Sequence, residues 1–382
     1  MGEYASLRVA SDGAVMAVRD LLGRLLAREQ VGAALVMVET QDGMGVQPAL
    51  VSRADRLERA NPFLPVMPVH LARMASLVTE REPVEDPGRR LAIVLRPCEL
   101  RGLVELAKLK QTDLRQLLTI GIDCVGTYEG SDWKRWASSD PSAFERYLDS
   151  ARQGKPDSPE SAYRHACAIC ETPSPWNADL SLHLIGVEGG LLVESPQPAL
   201  LEALGLSAGA DAASHSQATE RLREVRSATR RARLDEVDML LRRDQESQPG
   251  LVQAFEACQR CHNCTVACPI CYCKECLFRT DNLRYEPRHY LGGSERKGAA
   301  RLPGDTVAFQ LTRLCHVTTS CVGCGLCTSA CPADLPVDAL FQAAARRTQG
   351  LFNYVPGRSL DDPLPLATFE RKEFVDLGEA HG

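Results

Sequence analysis

Two cysteine runs constrain this chain more than anything else in it. CQRCHNCTVACP spans Cys258 to Pro269, and CVGCGLCTSACP spans Cys321 to Pro332. Each reads Cys-x2-Cys-x2-Cys-x3-Cys-Pro, the spacing with which bacterial proteins ligate paired 4Fe–4S clusters. One tight loop can aim three thiolates, two residues apart, at one corner of a cube. The fourth cysteine is expected to start a helix pointing away and to reach the other cluster. The expected ligand sets are therefore Cys258, Cys261, Cys264 with Cys331, and Cys321, Cys324, Cys327 with Cys268. Zinc also takes Cys-x2-Cys pairs, but two complete runs with prolines in register point to clusters and one-electron chemistry.

The rest of the chain limits where such chemistry sits. With 382 residues there is room for two or three domains and a sizeable core. A formal net charge of −6 gives nucleic-acid binding no electrostatic support. No apolar run approaches the roughly 18 residues of a membrane span. The opening MGEYASLRVASDG lacks the basic-then-apolar pattern of a secretory signal. Sixteen cysteines without an export signal argue for metal ligands in a reducing compartment, so a cytoplasmic location is expected.

Read in order, the first forty residues suggest strand (LRVA), helix (Ala14 to about Glu29) and buried strand (VGAALVMVE, 31–39), a start expected to build a parallel sheet. Between the first two, Ser11-Asp12-Gly13 is a helix cap or, alternatively, a turn that presents backbone amides to a phosphate. There is no GxGxxG after a strand and no Walker loop. NPFLPVMPV (61–69) is a proline-punctuated connector ahead of a helix from His70 to Thr79. LAIVLR then reads as a buried strand, Pro97-Cys98 as a turn and Glu99 to Lys110 as a helix. LLTIGIDCVGT (117–127) is another buried strand ending at Cys124, and a further helix is expected around Ser142 to Arg152.

Cys98 and Cys124 thus stand just past the carboxyl ends of two strands, the edge where open α/β sheets build their sites. HACAICETP adds Cys167 and Cys170. Cys98, Cys124, Cys167 and Cys170 supply the four thiols a 4Fe–4S cluster needs. A four-thiolate zinc site has the same stoichiometry and stays open as the alternative.

RPCELRGLVELAKLKQ, GIDCVGT, the CAIC pair, NADLS (177–181) and the opening SDGAVMAVRDLLGRLLAREQVGAALVMV together resemble successive blocks of a known family. It is the beta-subunit family of coenzyme F420-dependent hydrogenases and formate dehydrogenases, and the resemblance covers roughly residues 5–195. A two-cluster ferredoxin module is also found appended in relatives. The resemblance implies that Cys98, Cys124, Cys167 and Cys170 hold a third 4Fe–4S cluster. It also implies an FAD that exchanges hydride with the deazaflavin F420. Two departures bear on the flavin. Ser11-Asp12-Gly13 stands where flavin-binding relatives have Ser-Gly-Gly, and Ala60-Asn61-Pro62-Phe63 where many have Gly-Ser-Lys/Arg-Tyr.

Residues 187–194 read as a hairpin strand. Residues 212–249 form a charged helical stretch, with Leu222, Val225, Ala228, Ala232 and Val237 as its apolar face. Its arginines (Arg221, Arg223, Arg226, Arg230, Arg231, Arg233) read as a solvated face or a docking surface. The insertion 269–320 between the cysteine runs adds Cys271, Cys273 and Cys276, candidate ligands of a further site. It also carries Cys315, which falls in a helical pattern where a buried thiol is unremarkable. His262 and His316 read as packing or hydrogen-bonding residues. A helix (335–347) closes the module, and a Pro- and Asp-rich tail is expected to lie along its own domain or a neighbour.

The expected fold is α/β: a mostly parallel-sheet N-terminal domain (1–205), a helical connector (206–250), a ferredoxin-like α+β dicluster module (251–350) and a tail (351–382). The expected function is electron transfer within a redox complex, between a catalytic subunit (hydrogenase, formate dehydrogenase or heterodisulfide-reductase-like) and another carrier. The alternative is an oxidoreductase subunit with its own flavin, acting on coenzyme F420 or another hydride carrier.

Overall fold

The computed structural model describes residues 2–8, 13–79, 88–155, 162–242, 250–283, 285–300 and 302–367. Seven strands form one sheet: β1 (Glu3–Leu7), β2 (Val31–Glu39), β3 (Val46–Val51), β4 (Arg90–Leu95), β5 (Leu117–Ile122), β6 (Leu180–His183) and β7 (Leu191–Ser195), in the order β1-β7-β6-β5-β4-β2-β3. The central four, β2, β4, β5 and β6, run parallel; β3 pairs antiparallel at one edge, and at the other β7 pairs antiparallel with both β6 and the edge strand β1. The parallel centre holds the continuous apolar runs that burial on both faces demands. β3 carries Pro48 and sits at the edge, where a missing N–H does no harm. The strand–helix–strand start does not build adjacent parallel strands. β1 lies earlier than LRVA, and it pairs with β7 at the edge opposite β2.

The helices are α1 (Ala14–Leu26), α2 (Leu71–Val78), α3 (Pro97–Lys108), α4 (Gly130–Ser139), α5 (Ala143–Arg152), α6 (His165–Ala168), α7 (Pro198–Ala203), α8 (Ala213–Arg242), α9 (Gly250–Ala254), α10 (Asn263–Ala267), α11 (Pro287–Lys297), α12 (Thr306–Val317), α13 (Leu326–Ser329) and α14 (Val337–Leu351). One apolar core runs through the sheet and its helices, from Ala5 to Leu222. A second gathers Phe255, Ile270, Val317, Leu335, Leu340 and Phe341 under the cysteine runs.

The face of α8 that turns inward is not the expected one. Leu222 and Leu234 are buried, but Val225 is 52% exposed and Arg226 only 1%. Arg226 donates to the carbonyls of Val125 and Cys170, and Arg230 pairs with Glu171 and Gln342. Two of the arginines read as solvated therefore stitch the cysteine loops together. The tail from Asn353 to Arg358 folds back on its own sheet domain. Tyr354 Oη and the Gly357 amide both donate to Glu105 Oε1, at 2.6 and 2.8 Å, and Arg101 Nε donates to the Pro356 carbonyl. Among the described residues no helix is long and apolar enough to cross a membrane.

Candidate functional site

Strand ends and helix starts bring the N-terminal thiols together. Pro97 begins α3, so Cys98 lies in the first helical turn rather than in a turn before it. Glu99 ties this corner down: its carboxylate accepts from the Arg96 amide (2.9 Å) and from the Leu71 amide at the start of α2 (2.9 Å). Buried Arg96 donates one Nη2 to the carbonyls of Pro62, Leu64 and Val66, which explains the path of the proline-punctuated connector. Cys124 follows β5 by two residues, and its amide donates to the Pro173 carbonyl at 2.8 Å. That bond draws the loop after Cys170 against the end of β5. Cys167 lies in α6 and Cys170 just beyond it.

The charges fit an anionic metal group. Burial pushes the Cys98 thiol well up, and pushes Cys124 up to about 11. Burial also raises Cys167, but the Arg164 guanidinium at 3.6 Å and the Thr127 hydroxyl at 3.4 Å outweigh it and hold that thiol below its ordinary range. A metal partner would deprotonate thiols raised in the way Cys98 and Cys124 are. His70 is 1% exposed, and among the described residues its ring meets no hydrogen-bond partner beyond the Cys98 backbone. Burial, more than the nearby Arg164 and Arg73, holds it neutral, with a pKa lowered to about 3. The four residues therefore fit a 4Fe–4S group.

The two cysteine runs share one backbone path. In the first, Arg260 and His262 take left-handed conformations (φ 54° and 64°); in the second, Gly323 and Gly325 do so at the equivalent places (φ 71° and 74°). A left-handed non-glycine residue costs of order 1–3 kcal/mol. The first loop bears it at its outer face, where Arg260 pairs with Asp305 and His262 packs edge-on to Phe309. The second cannot: a Cβ on Gly325 would run into Ala166, next to Cys167. The short helices α10 and α13 precede the fourth cysteines instead of following them. Cys268 caps the end of α10, and Cys331 comes two residues after α13. α10 packs on α13, and Cys258, Cys268, Cys327 and Cys331 all pack against the Phe341 core. That proximity suits an exchange of fourth ligands.

Helix α12, from the insertion, covers the first run. Gln310 Nε2 reaches Cys258 Sγ at 3.4 Å and Arg313 Nη1 reaches Cys264 Sγ at 3.1 Å. Three arginines of the sheet domain enter the dicluster module. Arg73 donates to the carbonyls of Thr265, Cys268 and Cys271; Arg101 donates to Val322; Arg164 donates to Cys324 at 3.2 Å and Ser329 at 3.1 Å. Arg164 thus touches Cys167 and the Cys324 loop together, and Cys98 and Cys324 feel each other electrostatically. The N-terminal set and the second run face each other across this guanidinium.

No three of the candidate cysteine ligand atoms close to within 4.8 Å of one another among the described residues.

The group that does close to that distance is Asp123, His183 and His215, all buried. Asp123 accepts from His183 Nδ1 (3.0 Å), Ser174 Oγ (2.6 Å) and the amides of Leu184 and Ile185, while Glu194 meets His183 Nε2 at 3.2 Å. Burial disfavours charge on His183, yet Asp123 and Glu194 outweigh it and raise its pKa to about 9. It is a buried network of hydrogen bonds and ion pairs behind Cys124. Nothing in the sequence flagged it, because its members come from five separated segments.

Ser11 and Asp12 lie outside the described residues. Gly13 caps α1 with extended backbone, and its carbonyl accepts from Ala17 at 3.0 Å, as in a plain helix cap. A cavity of about 900 Å³ lies elsewhere, between the β2–β3 turn, Tyr128, Lys134, Arg164 and the dicluster residues Ala267 and Ser329. Cys271, Cys273 and Cys276 line a different cavity, and Cys315 is exposed rather than buried.

Residues 316–337 match the 4Fe–4S binding domain family. The chain is 23% identical over 385 residues to the F420-dependent formate dehydrogenase subunit beta of Methanocaldococcus jannaschii, covering 93% of this chain and 94% of that one. It is 24% identical over 306 residues to the F420-dependent formate dehydrogenase 1 subunit beta of Methanococcus maripaludis, covering 73% and 75%. Among solved structures it is similar to a chain of the F420-reducing [NiFe] hydrogenase complex from Methanosarcina barkeri, with a TM-score of 0.42 and 12% identity over 61% of this chain and 91% of that one. The resemblance carried by the N-terminal motifs holds along most of the sequence: this chain is a relative of the beta subunits of F420-dependent formate dehydrogenases, with a 4Fe–4S module near its C-terminal end.

Proposed function

We propose that this chain is the iron–sulfur electron-transfer subunit of a multi-subunit redox complex. It would pass electrons between a catalytic subunit, of the formate dehydrogenase, hydrogenase or heterodisulfide-reductase kind, and another carrier. Cys98, Cys124, Cys167 and Cys170 hold one 4Fe–4S cluster; Cys258, Cys261, Cys264 and Cys331 a second; Cys321, Cys324, Cys327 and Cys268 a third. The observation that carries this reading is the position of Arg164, which contacts the N-terminal set and the second run at once. Bound clusters supply one-electron chemistry. The chain supplies the thiolates, the cations Arg164 and Arg313 that balance them, and the apolar walls that exclude water.

The large cavity favours a second reading beside the first. At about 900 Å³ it falls within the usual range for cofactor sites, and its walls carry Arg59, Lys134 and Arg164 against Glu129 and Asp42, the latter paired with Lys134. An FAD there would convert the relay into a subunit that exchanges hydride with F420 or another carrier, as the names of the relatives suggest.

Anaerobic purification tests both readings. The relay predicts a brown protein with acid-labile sulfide, at least about twelve irons per chain at four per cube, and a co-purifying catalytic subunit. A colourless, iron-free protein would refute it. Flavin released by acid extraction establishes the second reading, and its absence from iron-replete protein eliminates it.

A further inference from the structure

The insertion 269–320 carries cysteines that the three proposed clusters do not use. Cys271, Cys273 and Cys276 converge on one cavity of about 160 Å³, and the residue that joins them from α12 is His316. Cys315, one position earlier, does not line that cavity, although it and His316 are both exposed. Helical geometry accounts for the choice, since neighbouring residues lie about 100° apart around the axis. The volume is several times the ~30 Å³ share of one water, so the space suits a group of several atoms better than one ion.

The walls are cationic. Arg73, Arg279 and Arg313 line the cavity against a single carboxylate, Glu275. Arg73 and Arg279 are fixed by the Thr265 segment: Arg73 donates to its carbonyl and Arg279 to its hydroxyl. Arg313 is buried, and its Nε has no partner among the described residues. Three guanidiniums around three thiols call for an anionic occupant. A cube held by three thiolates and one neutral imidazole carries net negative charge.

We propose that Cys271, Cys273, Cys276 and His316 hold a fourth 4Fe–4S cluster. This rests on the relay reading and extends it. Cys271 shares a side-chain hydrogen bond with Cys268 and feels Cys264 electrostatically, so the site lies beside the first cysteine run. Cys273 is exposed, which puts this cluster where a partner could exchange electrons with it. Histidine ligation raises iron–sulfur potentials where it replaces thiolate, and a raised potential would make this station an electron sink.

The test uses the full chain, purified anaerobically, with iron, sulfide and zinc counted and the reduced protein examined by EPR. Wild type should hold about sixteen irons, four per cube. C273S/C276S should fall to about twelve, lose one EPR component and keep its circular dichroism. H316A should lose the same component, and C315S should keep all of it. Twelve irons in wild type, or unchanged iron in C273S/C276S, would overturn the fourth cluster while leaving the relay standing. One zinc per chain, lost in C273S/C276S, would overturn it too. Loss of the component in C315S but not in H316A would remove His316. A colourless protein, by contrast, would bring down the relay reading itself.

Discussion

Replacing Arg164 by Met tests whether one buried charge sets the potentials of two clusters. Arg164 is 6% exposed and lies 3.6 Å from Cys167 Sγ and 3.2 Å from the Cys324 carbonyl. Allowing for the depth of a cube behind its thiolate, the guanidinium stands ~7 Å from either centre. At that distance a unit charge in an effective dielectric of ~20 is worth ~2.4 kcal/mol. For a one-electron couple this is ~100 mV. Removing positive charge disfavours the added electron, so both flanking clusters should drop by about 100 mV. The cluster of Cys258, Cys261 and Cys264 should move far less. An EPR-monitored anaerobic redox titration resolves the components. Arg164 also donates to Thr127 and Ser329, and unpairing a buried network of this kind costs ~3–5 kcal/mol. R164K therefore serves as the control: it keeps the charge, loses the fork geometry and should hold both potentials within a few tens of millivolts of wild type, a fraction of the ~100 mV charge effect. If R164M leaves every potential in place at full iron content, or if R164M and R164K shift alike, the electrostatic reasoning is wrong.

Three other outcomes follow from the same geometry. C124A should lose about four irons, one cube, and keep the clusters of the dicluster module; unchanged iron would remove Cys124 from the ligand set. G325A should lower stability by about 2–4 kcal/mol, from left-handed strain and the collision with Ala166, whereas H262G, at the equivalent place in the first run, should be neutral or stabilising; anaerobic thermal melts compare them. Between Asp123, Glu194 and His215, the His183 pKa is raised from its ordinary 6.5 to about 9. The protonated form is the one the fold favours. Its contribution, ~3 kcal/mol at 1.36 per unit, is thus complete below pH ~6.5 and is lost as pH rises towards 9. Melts at pH 6.5 and 9 should show the loss in wild type and a flatter profile in H183Q.

The cysteine runs were legible because ligand spacing is a local property: one short loop must aim three thiolates at one corner, and the sequence records that requirement directly. The strand ends bearing Cys98 and Cys124 were legible for a related reason, since LAIVLR and LLTIGI are continuous apolar runs. Edge pairing was not. Nothing in EYASL says that it will lie beside LLVES rather than VGAALVMVE, because partner choice depends on what the other strands leave uncovered. Helix α8 misled for a sharper reason. Helical periodicity puts Val225 inside and Arg226 outside, but the carbonyls of Val125 and Cys170 need a donor there, and hydrogen bonding overrode hydropathy. His70, Arg164 and Arg313 were invisible for the same reason. Each is an ordinary residue in its own segment, and its meaning comes from thiols far away in sequence.

The arginines crossing from the sheet domain into the dicluster module have a practical consequence. Arg73, Arg101 and Arg164 satisfy carbonyls at Cys268, Val322 and Cys324 that belong to the cysteine loops themselves. A C-terminal fragment excised near residue 250 would leave those oxygens facing water and strip cations from its thiolates. Such a fragment, however well it keeps its cysteine spacing, is not a portable ferredoxin, and potentials measured on it would describe a different electrostatic environment from that of the intact chain.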